Sequence, residues 1–344
     1  MKIAVDAMGG DFAPGVVIEG LVSALIDFPD YHYALVGNTP KVLFYLEKYG
    51  IAGDSRIELV HAPTVCEMSE PSAVSLRAKK DSSITVCAKL LKEKKVDAMV
   101  TPGHTGATVA ATKVLVRTLP GVSRPGLGAN MPSQKGRFLL MDAGADVDSK
   151  PENLVQFAVM GEIYAQYLFN NPRPRVGLLS VGGEDVKGND LTKHTFHMLE
   201  KLPFNFVGNV EADAIFEGAA DVLISDGFSG NVLLKSAEGL ARSTIYWLKR
   251  VLTKNSFRTV WALMGRNAFV ELKAFGSSDR IGGAPLLGIN GICIIGHGGS
   301  SPEAVRNAIR VAGECVTFGL NDKIVAKIKE AEEILGPELN PTKN

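Results

Sequence analysis

Four segments of this chain gather glycines, hydroxyls and a carboxamide where negative charge could be held: Asp6-Ala-Met-Gly-Gly-Asp11, Thr101-Pro-Gly-His-Thr-Gly106, Ser225-Asp-Gly-Phe-Ser-Gly-Asn231 and Gly296-His-Gly-Gly-Ser-Ser301. Each follows a run of β-branched or small apolar residues and leads into a helix-like pattern. At such a junction the first helical amides lack an intrahelical acceptor and the positive end of the helix dipole faces the same spot, which makes a cup for an anion. None of the four is a G-x-G-x-x-G fingerprint or a G-x-x-x-x-G-K-[ST] loop, so the anion carries no nucleotide signature.

Around the cups stand the residues that could do chemistry. Asp226, Ser229, Gly230 and Asn231 suit the holding of an oxyanion or phosphate. Ser229 is followed by Gly230 and Asn231, which does not meet G-x-S-x-G, so a serine-hydrolase triad is not expected. His104 and His297 each sit inside a cup and have two readings: a hydrogen-bonded structural histidine, or a donor and proton shuttle for a bound anion. Lys187, in Gly182-Gly-Glu-Asp-Val-Lys-Gly188, either reaches into a strand-end cleft or faces water. Leu76-Arg-Ala-Lys-Lys-Asp-Ser-Ser83 places Arg77, Lys79 and Lys80 before Ser82 and Ser83, which reads as a phosphate-binding helix start or as a solvated basic loop. His194 and His197, three apart and without H-E-x-x-H, read as a solvated helix face, and no metal site is expected.

The elements that must position these residues alternate. Strand-like runs at Lys2–Asp6, Tyr33–Val36, Ile57–His61, Ala98–Thr101, Phe138–Asp142, Arg175–Ser180, Asn205–Asn209, Val222–Ser225 and Gly291–Ile295 are separated by segments of helix length. That pattern predicts an α/β fold: a mostly parallel, doubly wound sheet with ligands outside the carboxyl ends of its strands. Ser149-Lys-Pro-Glu152 and Ser300-Ser-Pro-Glu303 predict helix starts, with a serine or its neighbour as N-cap, proline in the first turn and a glutamate reaching back. The polar turn before the first marks a boundary near 148–151 between two interleaved lobes of one catalytic unit, 1–335, and 336–344 is expected to fray.

Composition narrows the function classes. With 344 residues, 46% hydrophobic and 22% charged, the chain is long enough for a large core. Lys+Arg and Asp+Glu balance at 37 each, so no global field attracts nucleic acid. Acidic residues at positions 6 and 11 interrupt any signal peptide, no run approaches the roughly 18 apolar residues of a membrane span, and Cys66, Cys87, Cys293 and Cys315 read as buried reduced thiols; a cytoplasmic protein is expected. One segment departs from the average: between Glu238 and Glu271 there is no acid, six basic residues (Arg242, Lys249, Arg250, Lys254, Arg258, Arg266) and both tryptophans, Trp247 and Trp261. Leu234, Ala237, Ala241, Ile245, Leu248 and Leu252 mark one helical stripe, and Phe257, Val260, Trp261 and Met264 begin a second. The expectation is a protruding amphipathic hairpin over 236–275, read either as a core or dimer element or, through 245–266, as a contact with an anionic membrane surface.

Taken in order, Val5-Asp-Ala-Met-Gly-Gly-Asp11, Leu76–Ser83, Thr105-Gly-Ala107, Phe157-Ala-Val-Met-Gly161, Glu184-x-x-Lys-Gly188, Asp226-Gly-Phe-x-Gly-Asn231, Gly282-Gly-Ala-Pro-Leu-Leu-Gly-x-Asn-Gly291 and Ile295-Gly-His-Gly298 resemble the PlsX-type phosphate acyltransferase family of bacterial phospholipid synthesis, from Lys2 to about Phe318. The resemblance implies transfer of a long-chain acyl group from acyl carrier protein to inorganic phosphate without a cofactor. It also implies a homodimer, a fold similar to isocitrate and isopropylmalate dehydrogenases and phosphotransacetylases, and peripheral association with the inner face of the cell membrane. The downstream membrane acyltransferase is a candidate partner. Three positions depart from the family pattern: Phe12 where His is usual, His104 where Asn is usual, and Asp146 where Asn is usual.

Phosphate is itself a nucleophile, so the expected mechanism needs only positioning and oxyanion stabilisation. It assigns phosphate to Ser229, Gly230 and Asn231 with help from Lys187, and oxyanion donation to His297 or Asn231, with Asp226 beside them. Gly9, Gly10, Asp11, His104, Thr105 and Gly106 shape the walls. Arg77, Lys79 and Lys80 bind substrate or dock the acidic carrier, next to Ser82 and Ser83. The rivals are a phosphotransacetylase-type enzyme using acyl-CoA, a nicotinamide-dependent dehydrogenase of similar fold, and a non-enzymatic membrane scaffold.

Overall fold

A computed structural model describes residues 1–66, 79–269, 271 and 281–339, with the side chain of Trp261 left aside. Arg77, the far end of the expected hairpin at 272–275 and the tail residues 340–344 lie outside the described residues.

Among the described residues the chain builds an 11-stranded sheet. Its first strands are β1 (Lys2–Asp6), β2 (His32–Gly37), β3 (Ile57–His61) and β4 (Ala98–Thr101). They are followed by β5 (Gly126–Ser133), β6 (Gly136–Met141), β7 (Arg175–Leu179), β8 (Asn205–Val210), β9 (Val222–Ile224), β10 (Ala284–Leu287) and β11 (Ile292–Ile295). The order across the sheet is β3-β2-β1-β4-β11-β10-β5-β6-β9-β7-β8. Strands β3, β2, β1, β4 and β11 run parallel to one another, as do β6, β9, β7 and β8. Between the two sets, β10 is antiparallel to both β11 and β5, and β5 is antiparallel to β6. The two parallel sets therefore point in opposite directions.

That reversal decides where the cups meet. Ile295 at the end of β11 pairs with Ala284, Leu286 pairs with Leu127, and Gly128 pairs with Met141 at the end of β6. Because the strands are short, the carboxyl ends of both sets converge across the two central strands instead of lying at opposite edges. Strands β5 and β10 escape a reading based on alternation because Gly126, Gly128, Pro132 and Pro285 hide the β pattern. The glycines have packing reasons: a Cβ on Gly126 would stand 2.5 Å from Met141 Cε, and one on Gly128 would stand 3.1 Å from Leu139 Cδ1.

Helices cover both faces. On one lie α1 (Gly15–Asp27), α2 (Thr39–Lys48), α5 (Pro151–Phe169), α6 (Asp190–Leu199), α9 (Pro302–Phe318) and α10 (Leu320–Leu335), around a core that includes Ile18, Leu35, Phe157, Tyr164 and Ile309. On the other, α3 (Ser83–Lys92), α4 (Thr105–Leu115) and the stem of α7 (Gly227–Leu252) pack with Ala88, Leu140, Leu223 and Cys293. The two predicted helix starts are present. Ser301 caps α9 by accepting from Ala304 N–H at 3.2 Å, whereas Lys150 is the N-cap of α5 and Asn153, not Glu152, reaches back to its N–H at 2.8 Å. Residues 336–338 form a 3₁₀ turn and Leu339 is 1% exposed, part of the first core.

Helix α7 is 26 residues long, about 39 Å at 1.5 Å per residue, and only Gly227 and Gly230 on it are buried. Its stem residues Leu233, Leu234 and Ala237 pack against the second core, so the stripe predicted from 234 to 252 is a core face only at its start. Beyond the stem, Ile245, Tyr246, Trp247 and Val251 are exposed, as are Phe257, Val260, Leu263 and Met264 on α8 (Ser256–Met264). The hairpin protrudes, with basic side chains interleaved among apolar ones. The four cysteines are buried free thiols, and burial pushes the Cys315 thiol up to about 12.

Candidate active site

A cavity of about 440 Å³ opens where the ends of β4, β11 and β6 converge. Its wall holds Gly103, His104, Thr105 and Gly106 from one cup, Gly296, His297, Gly298 and Ser300 from another, and Asn231 and Gly144 from the opposed half-sheet. Leu127, Ala129, Leu234, Ile281, Ala284 and Ala304 make the rest of it largely apolar. Polar donors and hydrocarbon thus share one lining, to which Lys235 and Glu238 add an ion pair at 2.9 Å.

The cups are tied together by hydrogen bonds that the short strands make possible. His104 is the N-cap of α4: its Nδ1 accepts from Ala107 N–H at 3.2 Å. His297 Nδ1 accepts from Gly299 N–H at 3.0 Å. A neutral imidazole with an accepting Nδ1 carries its proton on Nε2, so both rings are in the tautomer that donates from Nε2. Ser300 Oγ donates to the His297 carbonyl at 2.6 Å and not to the ring, so no serine–histidine dyad forms there.

The first cup serves as a brace for the other two. Asp11 N–H donates to Gly298 O at 2.8 Å, and Thr101 Oγ1 donates to Asp6 Oδ2 at 2.7 Å. Burial pushes the fully enclosed Asp6 carboxyl up, against hydrogen bonds that draw it down. A Cβ on Gly9 would meet Gly103 N at 2.8 Å, and Gly10, at φ +91°, would meet Gly298 O at 2.9 Å. Gly9 and Gly10 permit close backbone approach, and Asp11 is exposed outside the cavity. Phe12 is 64% exposed.

The third cup is arranged differently from the expectation that its amides hold phosphate. Asp226 is the N-cap of α7 and its Oδ1 accepts from Ser229 N–H at 2.9 Å, while Gly230 N–H donates to the Asp226 carbonyl at 2.9 Å. Both amides are therefore already satisfied, and Gly230 is there for packing. Its Cβ would fall 1.9 Å from Asp142 O. Asn231, one residue on, lies against Gly144 and lines the cavity.

Asp142 is the buried hub beneath this contact. It accepts from Leu127 N–H at 2.7 Å, Gly144 N–H at 3.1 Å, Ala145 N–H at 3.0 Å and Asp146 N–H at 2.7 Å. Burial pushes its carboxyl up to about 6, opposed by those four amides. Asp146 also accepts from Ser149 Oγ at 3.2 Å and stands 3.7 Å from Arg124. The turn reads in sequence only as polar; its role follows from β5 and β6 pairing, which puts Leu127 N–H beside it. Asn130, Lys235, Glu238, Ile281, Gly283 and Ala284 likewise join the cavity by tertiary placement alone.

Other expected residues lie apart. Lys187 is exposed on the turn after β7, its side chain against Gly182, and it does not line the cavity of His104 and His297. Its neighbour Gly188 lines a second cavity of about 520 Å³ with Ser180, Asn189, Thr192, Glu211, Asp213, Asp226 and Ser229. The third cup thus faces two ways, Asp226 and Ser229 to one cavity and Asn231 to the other. Ser82 caps α3 by accepting from Thr85 N–H at 3.3 Å, and both Ser82 and Ser83 are buried, which corrects the reading of an open phosphate-binding helix start. Lys79 Nζ donates to Val65 O at 2.8 Å. Lys80 is exposed, and His194 and His197 lie on the solvent side of α6.

The chain matches the family described as Fatty acid synthesis protein over residues 1–323. It is 45% identical over 331 residues to the phosphate acyltransferase of Akkermansia muciniphila, covering 94% of this chain and 95% of that protein. To the phosphate acyltransferase of Leptospira biflexa it is 41% identical over 339 residues, covering 98% and 99%. Among solved structures, a phosphotransacetylase from Streptococcus pyogenes superposes with a TM-score of 0.62 at 17% identity, over 92% of this chain and 94% of that one. A branched-chain phosphotransacylase from Enterococcus faecalis superposes at 0.54 with 14% identity, over 92% and 99%. Those two likenesses speak to the fold. The near full-length identity to curated relatives speaks to the chemistry, and this chain belongs to the phosphate acyltransferase family, enzymes that transfer an acyl group to phosphate.

Proposed function

We propose that the chain transfers a long-chain acyl group from the thioester of an acyl carrier protein to inorganic phosphate, in the cavity shared by the cups of His104 and His297. The observation that supports this reading is the make-up of that cavity: His104, His297 and Asn231 share one lining with Leu127, Ala129, Leu234 and Ala284, so anion donors and hydrocarbon face the same space. Phosphate is held at the start of α4 by the amides of Thr105 and Gly106, with Nε2–H of His104 and His297 as further donors. A phosphate oxygen attacks the thioester carbonyl carbon, the C–O bond forms, and the developing oxyanion is met by Asn231 or His297. Collapse breaks the C–S bond and releases a thiolate, which leaves readily because thiols ionise near pH 8.5. No protein nucleophile is required, in keeping with the absence of a serine–histidine pair among the described lining residues. The acyl chain starts along Leu127, Ala129, Leu234 and Ala284.

On this reading the protein is a cytoplasmic homodimer that works at the inner face of the membrane. The α7–α8 hairpin rests on anionic lipid through Trp247, Phe257, Met264 and its basic residues, handing acyl phosphate to a membrane acyltransferase. Incubation with acyl carrier thioester and labelled phosphate should yield a hydroxylamine-sensitive acyl phosphate. Product from acyl-CoA but none from the carrier thioester would replace this reading with the phosphotransacetylase one. No product from either would overturn both.

A further inference from the structure

The cavity of about 520 Å³ beside β7 and β9 is unused by the reaction as written, although its size falls in the roughly 300–1,000 Å³ range of small-ligand sites. Its lining mixes Leu154, Leu179, Val181 and Ala212 with polar groups that are wrong for phosphate: three carboxylates, Glu211, Asp213 and Asp226, stand among the hydroxyls of Ser180, Thr192, Ser225 and Ser229. Each carboxylate already accepts a single backbone N–H, from Gly183, Ala214 and Ser229 respectively. A carboxylate has room for several more donors. What such a surface favours is a neutral ligand rich in N–H and O–H groups.

A second observation also points to a ligand. Ser180 is 9% exposed, its Oγ is buried, and that oxygen has no hydrogen-bond partner among the described residues. It stands against Gly188, which also lines the cavity and whose Cβ would come within 3.1 Å of it. Buried hydroxyls are normally satisfied, so this one marks a place where a polar group from outside the chain belongs.

Resting on the acyl-thioester reading, we propose that this cavity receives the pantetheine arm through which the donor carries its acyl group. The arm's two amides and its hydroxyl pair with Ser180, Thr192 and the carboxylates. Exposed Lys187, one residue before Gly188 of the lining, meets the phosphate that ends the arm. Ser229 faces this cavity and Asn231, two residues on and about 3 Å further along α7, faces the other, so the thioester passes α7's first turn to reach the cups. Carrier protein and coenzyme A share this arm and differ only beyond its phosphate.

The test uses the full-length protein with three acyl donors: the phosphopantetheine, pantetheine and N-acetylcysteamine thioesters, the last lacking most of the arm. Ser180→Ala and Glu211→Gln should each raise KM for acyl-pantetheine about tenfold, with kcat and the KM for phosphate unchanged. Neither should alter turnover of the N-acetylcysteamine thioester. Lys187→Ala should raise KM only for the phosphopantetheine donor. Equal effects on long and truncated donors, or none on either, would overturn the proposal. Calorimetric binding of free pantetheine, present in the wild type and weakened in Thr192→Val, gives a readout independent of turnover. Pantetheine binding without acyl phosphate formation would overturn the function and keep this site, whereas acyl phosphate formation with no pantetheine binding would do the reverse.

Discussion

Gly230→Ala is the substitution whose outcome follows most directly from the geometry. Alanine in place of glycine inside an exposed helix is ordinarily stabilising by about 0.5–1 kcal/mol. At Gly230 the new Cβ would lie 1.9 Å from the Asp142 carbonyl oxygen and 2.6 Å from Ser225 Oγ. The first of these is backbone held by the Asp142 turn, so it cannot rotate away, and a normal contact needs a shift of about 1.3–1.5 Å. That displacement would break the Gly227 N–H bond to Asp146 O, now 3.0 Å, and carry Asn231 off Gly144. Overpacking of this kind costs about 1–3 kcal/mol, which outweighs the helical gain, and a misplacement of about 1 Å in a reacting group lowers turnover roughly 100-fold. Gly239→Ala on the same helix is the control, because its Cβ meets nothing nearer than Arg242 Nη2 at 3.9 Å. Thermal unfolding and acyl phosphate formation should separate the two: a lower Tm and lost turnover for Gly230→Ala, an unchanged or higher Tm and full turnover for Gly239→Ala. A Gly230→Ala enzyme with wild-type Tm and kcat would refute the argument that α7 is seated by this contact.

Three further outcomes are expected. His104→Asn should retain the α4 cap, because a carboxamide oxygen can accept from Ala107 N–H as Nδ1 does, while His104→Ala should lose about 1 kcal/mol of stability, measurable as a difference in Tm between the two variants. The Asp142 carboxyl, raised in the folded protein to about 6, binds its proton more tightly folded than unfolded, so its contribution to stability is complete below about pH 4 and is lost as pH rises through about 6. Tm curves of the wild type and Asp142→Asn should therefore draw apart as pH falls from 6 to 4, and parallel curves would contradict the assignment. In flotation with anionic vesicles, Phe257→Glu combined with Leu263→Glu should abolish binding while leaving turnover of soluble donor intact; undiminished flotation would remove the hairpin tip as the membrane contact.

Several elements were legible from the chain alone for simple reasons. Strands β1, β3 and β4 are unbroken apolar or alternating runs flanked by polar turns, and they fall where the pattern puts them. The cups at Thr101 and Gly296 combine glycine, a hydroxyl and a cap residue in the order a strand-to-helix junction demands. The β5 strand was illegible because its glycines answer to packing against Met141, Phe157 and Leu139, partners distant in sequence, and β10 because it is four residues long with a proline among them. Gly230 shows the same limit inside a recognised motif. Its place beside Ser229 and Asn231 suggests an amide for an anion, yet the carbonyl beneath it belongs to Asp142.

Local sequence by itself therefore determined the inventory: four anion-suited turns, a charge-balanced α/β chain, a basic aromatic hairpin and the motifs of its family. Those follow from short-range physics, hydrophobic periodicity, cap chemistry and the freedom of glycine, which act over a few residues. Tertiary structure decided which turns share a cavity. The antiparallel β10–β5 insert reverses half the sheet and brings the ends of β11 and β6 together, joining His104 and His297 to Asn231 while leaving Lys187 by the neighbouring cavity. Strand direction and register depend on contacts between segments far apart in the chain, and no local pattern carries them.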